Sequence, residues 1–321
     1  MAFIHDDPDF DDLLEIVADE LGRPRGFVEK DYWVTHALWA LHRVGFDVWF
    51  KGGTSLSKGF DLIERFSEDL DLRVEPGHYE ALKRVENWKT TTPRACNQRR
   101  EYFEQLTAAL TVPGATVALA PDNPPEWRSA VVRVHYPCKY AEDLVAGMTP
   151  FVQLEIGNAR VAPSVLRDIS SFVHDKLNNI ERIGTYDENR PRQVRCFHPI
   201  ATLFEKLDAL CKRFGNGEPA KIVRHYEDAA KIIRKHDELM LSLQHTSAHL
   251  LAGELFPKWD VPRPLHEAFA AGSGVRWDAF RKAHADIGGM FWGERIPLET
   301  ACAEIRHWLQ SNVGARMDTP P

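Results

Sequence analysis

The sequence predicts an α+β protein: a mixed sheet flanked by helices in the N-terminal part, then a mainly helical C-terminal part. Three observations predict this. Residues 47–50 (DVWF), 69–72 (DLDL), 130–136 (AVVRVHY) and 151–156 (FVQLEI) read as strands, by an apolar run or by alternation. Residues 11–21 and 27–44 repeat apolar residues at helical spacing ahead of the first glycine turn. From His198-Pro199 onward the strand signals stop, and residues 200–213, 219–235 and 239–251 read as helices. Residues 181–195 between them are polar, basic and broken by Gly184 and Pro191, which predicts a linker. The expected organisation is one domain over residues 1–190 and a helical one over 191–321.

The remaining elements follow in order. Gly22-Arg23-Pro24 ends the first helix, and Gly45 ends the second. Tyr32, Trp33 and Trp39 suit a core position on that second helix, although Glu29-Lys30-Asp31 is unusually charged for a buried stretch. After the strand at 69–72, Pro76-Gly77 leads into a polar, basic helical stretch reaching residue 100, and residues 101–110 continue it. Pro113-Gly114 and the prolines between 121 and 125 mark turns. Trp259, Trp277, Trp292 and Trp308 are expected in the core of the second domain.

Composition narrows the function classes. A chain of 321 residues with 44% hydrophobic and 27% charged residues is an ordinary globular protein with room for two domains. No apolar run is long enough to cross a membrane, and the acidic N-terminus is unlike a signal peptide, so the cytoplasm is the expected location. Five scattered cysteines without a CxxC pair suggest neither zinc nor a disulfide framework. The net charge of −7 excludes a surface coated in basic residues. Two local exceptions stand out. Residues 73–100 carry seven Lys/Arg against three Asp/Glu, and residues 181–235 carry twelve against eight, an excess of four in each. Such patches can meet a polyanion. RNA contact is therefore expected from residues 73–100 and 190–213, with Arg94, Arg99 and Arg100 as the test positions.

The chemistry concentrates at residues 51–72. Gly52-Gly53 allows a sharp turn with close backbone approach to a ligand, and Thr54 or Ser55 can cap the helix that follows. A helix start with free N–H groups is an anion site, and phosphate is the usual anion. On the next strand Asp69 and Asp71 share one face while Leu70 and Leu72 point to the other. Paired carboxylates repel unless a cation neutralises them, and hard oxygen ligands suit Mg²⁺. Glu155, on the strand at 151–156, is the candidate third acid. A phosphate cradle one short helix from a carboxylate pair is a layout for metal-assisted phosphoryl chemistry. Ser67 lies two residues before Asp69, so its phosphorylation would place negative charge beside the metal and silence the site.

The GG[ST]…DxD pattern resembles the nucleotidyltransferase superfamily. Four further motifs sharpen the likeness: Val28-Glu29-Lys30-Asp31-Tyr32-Trp33, Arg65-Phe66-Ser67-Glu68-Asp69-Leu70-Asp71, Leu203-Phe204-Glu205-Lys206-Leu207-Asp208-Ala209-Leu210, and Arg224-His225-Tyr226-Glu227-Asp228. In this order, over residues 29–235, they resemble the AbiEii/AbiGii nucleotidyltransferase toxins of abortive-infection toxin–antitoxin pairs. The resemblance implies a nucleotidyltransferase-fold N-terminal lobe and a helical C-terminal lobe that completes the active site. It also implies an NTP substrate, Mg²⁺, a cognate antitoxin and no membrane partner. Some members add nucleotides to the tRNA 3′ end and so block translation, which makes tRNA or another RNA the expected acceptor.

Roles then fall to particular residues. Asp69 and Asp71, with Glu155, would hold Mg²⁺. Gly53 and Ser55 would contact the β- and γ-phosphates, and Lys58 is a second phosphate contact or an exposed helix lysine. Lys206 would neutralise the leaving pyrophosphate. Asp228 would orient Lys206 or bind nucleotide; Arg224, four residues earlier on the same helix face, would bind nucleotide or pair with it. Transfer to a protein or small molecule, and a nucleotide-binding regulatory subunit without turnover, stand as alternatives.

Overall fold

The computed structural model describes residues 2–46, 48–65, 69–74, 82–144, 148–157, 162–243, 251 and 264–313. Ser67, Trp259 and residues 244–250 of the expected third C-terminal helix lie outside the described residues. The chain divides into two compact units: Met1–Phe60 with Ser67–Cys196, and Asp61–Phe66 with Phe197–Pro321.

The first unit is α+β. It opens with α1 (Phe10–Leu21) and α2 (Arg25–Arg43), followed by β1 (Val48–Lys51), α3 (Gly52–Lys58) and β2 (Asp69–Val74). Then come α4 (Pro93–Ala109), β3 (Thr116–Leu119), β4 (Ser129–His135), β5 (Val152–Gly157), β6 (Ser164–Arg167), α5 (Phe172–Asn179) and β7 (Val194–Phe197). The strands form one mixed seven-stranded sheet in the order β3-β4-β5-β2-β1-β7-β6. β2 runs antiparallel to β1 and parallel to β5; β1 runs parallel to β7. Val48, Phe50, Leu70, Leu72, Val152, Leu154 and Ile156 alternate along the three central strands and are buried. They form one apolar face, and transfer of such side chains from water is the main stabilising term.

Helix α2 packs on β5 and against α1 and α5. Its charged run is buried because each member ties down a distant segment. Glu29 accepts from the backbone N–H groups of Lys139 and Tyr140. Lys30 donates to the Thr149 carbonyl at 2.8 Å. Asp31 is ion-paired with Lys58 at 2.5 Å and accepts from Phe172 N at 3.0 Å. Buried charges persist only when paired or hydrogen-bonded in this way.

The structure departs from the sequence expectation at three elements. Of the stretch leading to residue 100, the described residues 82–92 are not helical, and the helix starts at Pro93, where Thr92 accepts from Ala95 N. The linker at 181–195 ends in β7, which joins the sheet beside β1 because Val194 and Cys196 alternate with Arg195 and supply buried apolar positions. The helix read over 219–235 is two, α7 (Pro219–Ile222) and α8 (Arg224–Arg234), separated at Val223.

The second unit is mainly helical. Around α6 (Pro199–Arg213) and α8 it adds α9 (His236–Leu241), α10 (Val275–Asp286) and α11 (Leu298–Asn312). Helix α8 packs against α6 and α11. Trp277 and Trp308 are buried: Trp308 meets the Phe204 ring at 5.9 Å and Trp277 meets Phe214 at 5.0 Å. The segment 61–66 is pinned to this unit by a β-bridge between Arg65 and Phe291 and by Trp292 N donating to the Glu64 carbonyl.

Candidate active site

In the first unit the strand register aligns the carboxylates. Asp69 stands beside Gln153 and Asp71 beside Glu155 on the neighbouring strand, so all four share the face opposite the buried leucines. Gln153 donates to Glu155 at 3.2 Å. Burial, and then the charges of Asp69 and Asp71, push the Glu155 carboxyl up to about 7. That is the behaviour of like charges crowded on a partly desolvated surface.

The glycine turn abuts this row. Gly52 has φ +76°, and a Cβ there would stand 1.7 Å from Asp71 Oδ2. Only glycine allows both the backbone conformation and the close approach of the carboxylate. Lys51, the residue before α3, faces Asp71 across β1 and β2. The capping expected of Thr54 or Ser55 is absent: the helix starts at Gly52 and its cap residue Lys51 makes no side-chain cap. Thr54 Oγ1 instead donates to the Asp69 carbonyl at 2.7 Å, which ties α3 to the strand bearing the acids. Gly53 is buried in the first turn of α3. Ser55 Oγ is buried without a hydrogen-bond partner of ordinary geometry among the described residues. Lys58 closes the helix with its ammonium on Asp31 and on the Ser170 carbonyl at 2.9 Å, so two of its three donors are engaged.

In the second unit charges converge on Asp228. Arg65 holds it through two parallel bonds, Nε to Oδ1 at 2.8 Å and Nη2 to Oδ2 at 2.7 Å, and Lys206 Nζ donates to Oδ2 at 2.7 Å. All three side chains are buried. Burial alone would raise the Asp228 pKa, but the Arg65 and Lys206 charges outweigh it and hold the carboxylate ionised. Burial draws Lys206 down, opposed by Asp228. His225 is held neutral by burial and by the Lys206 charge. With Arg224 at the start of α8, also acting electrostatically on Lys206, this locus carries three cations against one carboxylate. The adjoining Glu227 serves the frame: it accepts from Arg295 Nε at 2.8 Å and Ile296 N at 2.9 Å.

The family model for the nucleotidyl transferase AbiEii toxin of type IV toxin–antitoxin systems matches residues 40–286. The chain belongs to this family. Among solved structures it is similar to the nucleotidyltransferase toxin MenT4 from Mycobacterium tuberculosis H37Rv, at 19% identity, with 90% of this chain and 98% of that chain covered and a TM-score of 0.45. A comparison with curated proteins gave no match. Family membership makes the chain a nucleotidyltransferase toxin and implies an NTP substrate and an antitoxin partner.

Among the described residues no group of three or more His, Cys, Asp and Glu side chains forms a ready-made metal cage. Magnesium rarely uses one: it keeps several waters and binds through one or two carboxylates plus substrate phosphates. The acid row suits that mode: burial and then the charges of Asp69 and Asp71 raise Glu155, and a divalent cation relieves that repulsion. No helix among the described residues is long and apolar enough to cross a membrane.

Sequence reasoning missed Arg65. Arg65 was visible as a lone cation in the motif ahead of Asp69, but its partner lies 163 residues away. Arg73, which opens the basic stretch expected to meet RNA, continues the alternation of Asp69 and Asp71 on β2. Arg99 is corrected: it is buried and donates to the carbonyls of Glu126, Asn87 and Thr90, so it is a structural residue. Arg94 and Arg100 are exposed, within 3.9 Å of Glu86 and 3.7 Å of Glu104 respectively.

Proposed function

We propose that this AbiEii-family chain transfers a nucleoside monophosphate from an NTP to the 3′ end of a tRNA in the cytoplasm, and thereby blocks translation. In this reaction the acceptor hydroxyl gives up its proton to solvent and its oxygen bonds to the α-phosphorus, while the bond from the α-phosphorus to the α–β bridging oxygen breaks and pyrophosphate leaves with that oxygen. The observation that carries the reading is the carboxylate row of Asp69, Asp71 and Glu155 against the side-chain-free turn at Gly52. Magnesium, when bound there, would neutralise the triphosphate and polarise the attacked phosphoryl group.

The chain's own residues do the rest. Gly53 and Ser55, in the first turn of α3, bind the β- and γ-phosphates through backbone N–H and hydroxyl. Lys58 holds α3 through Asp31 and, secondarily, contacts phosphate. Lys206 offers an ammonium to the leaving pyrophosphate, Asp228 orients it, and Arg224 adds charge for the nucleotide. Asp228 is in turn held by Arg65.

The test is to incubate purified protein with total tRNA and each α-labelled NTP in turn, with and without Mg²⁺, and to size the products. Labelled, lengthened tRNA that depends on Mg²⁺ is the expected result. Label in protein or in small molecules would move the acceptor. NTP binding without pyrophosphate release would mark a nucleotide-binding subunit without turnover.

A further inference from the structure

The two basic stretches of the sequence, 73–100 and 181–235, each send one arginine to the same place. Arg73 on β2 and Arg195 on β7 are register partners of Trp49 on β1, the strand between them. Register partners project to one face of a sheet. The Arg195 guanidinium carbon stands 5.4 Å from the Trp49 ring centroid and that of Arg73 stands 5.8 Å from it. All three side chains are half-buried. A guanidinium over an indole is drawn to the negative face of the ring, and its rotamers are restricted before any ligand arrives. Opposite Arg73 on β5 stands Gly157, which adds no side chain to this face.

The row lies beside the acids. Arg73 follows Asp71 by two residues on β2, so the two rows are separated by roughly 7 Å of strand. Across the sheet, Arg73 and Arg195 sit two strand spacings apart, roughly 10 Å between their backbones. One compact triphosphate seated at the glycine turn does not extend along such a row. A polynucleotide strand does, because it carries one phosphate per residue away from its reacting end.

We propose that Arg73, Trp49 and Arg195 form a phosphodiester-binding row that holds the acceptor RNA strand upstream of its 3′ terminus. This rests on the reading of RNA as the acceptor. The guanidiniums bind phosphate oxygens, for which their planar forked donors are suited, and Trp49 is the platform that positions both. Recognition is of backbone charge, so the row is indifferent to sequence.

The experiment measures binding separately from turnover. Affinity for a labelled single-stranded oligoribonucleotide and for total tRNA is titrated against salt, using the full chain and Arg73→Gln, Arg195→Gln and the double variant. NTP affinity is measured by calorimetry on the same preparations. Each lost guanidinium should flatten the slope of log affinity against log salt by about 0.7, the increment for one single-strand phosphate. NTP affinity should hold. Arg73→Lys with Arg195→Lys should keep the slope while binding more weakly, which separates lost charge from lost folding. Unchanged RNA affinity and slope in the Gln double variant would overturn the proposal, as would a loss confined to NTP binding. If the slope falls in a protein that transfers no nucleotide to RNA, the acceptor reading fails and the row stands. If transfer to RNA proceeds and the slope is unmoved, the row fails and the acceptor reading stands.

Discussion

Asp228 is the residue on which the charges of the helical unit depend. It separates Arg65 from Lys206, and all three are buried. Removing one member of a buried ionic group leaves the others desolvated and unpaired, a loss of about 3–5 kcal/mol. Asp228→Asn should therefore lower the denaturant midpoint as well as activity; an unchanged midpoint would show that Arg65 and Lys206 find other partners. Lys206→Ala should act on the rate, with a single-turnover loss of roughly 10²–10³-fold if the ammonium stabilises developing charge. Lys206→Arg should restore little, since a planar guanidinium does not replace a compact ammonium. Normal single-turnover rates in Lys206→Ala would remove this residue from the site. Lys206 and Asp228 were legible because their motifs are local. The bidentate partner was not, because the Arg65–Asp228 contact comes from tertiary packing across 163 residues.

At the scale of elements, the short helix α3 is held at both ends. Its first residue, Gly52, leaves room for the Asp71 carboxylate, and its last, Lys58, is half-buried and ion-paired with Asp31. Gly52→Ala should abolish transfer while leaving most stability, because the new methyl group and Asp71 cannot occupy the same space. Retained activity in a well-folded Gly52→Ala protein would mean that Asp71 can move without consequence. Asp31→Asn removes the charge partner of Lys58, which keeps its bond to the Ser170 carbonyl, and should lower the denaturant midpoint; an unchanged midpoint would show that the pair does not hold α3. Strand β2 was legible because its acids and leucines alternate with period two. The edge strands β3 and β6 were not: most of their residues are exposed or half-exposed, so no apolar face marks them. Strand β7 hid in a polar, basic stretch because four residues are too few to show a period against the flanking prolines and arginines. The break at Val223 interrupts a stretch with no internal Gly or Pro, so composition does not reveal it.

At the scale of the whole molecule, a buried polar network in the α+β unit makes stability depend on pH. Asn189 donates to His36 Nδ1 and to Tyr32 Oη, and its carbonyl meets His174 Nε2 at 2.6 Å. His36 Nε2 faces the Pro113 carbonyl and His174 Nδ1 faces the Ser171 hydroxyl. Each ring thus has one donor and one acceptor nitrogen in use, which is the neutral form. Burial pushes His36 down to about 3 and His174 down to about 4. The unfolded chain takes up these protons near pH 6.5 and the folded chain does not, so stability is full above that value and declines as pH falls toward 4. The His174 share is about 3 kcal/mol. Unfolding titrations at pH 7 and pH 4.5 should show the decline, and His174→Gln should reduce it. Equal midpoints at both pH values would contradict the neutral network.

The reaction proposed for this family member is nucleotidyl transfer at the acid row of its sheet. The most direct measurement compares pyrophosphate release and label incorporation into tRNA for the wild type and for Asp69→Asn and Asp71→Asn, each checked for an unchanged melting temperature. The wild type should release one pyrophosphate per nucleotide added, and both variants should fold normally and do neither. A folded Asp69→Asn or Asp71→Asn protein that still transfers nucleotide at a rate near the wild type would contradict it.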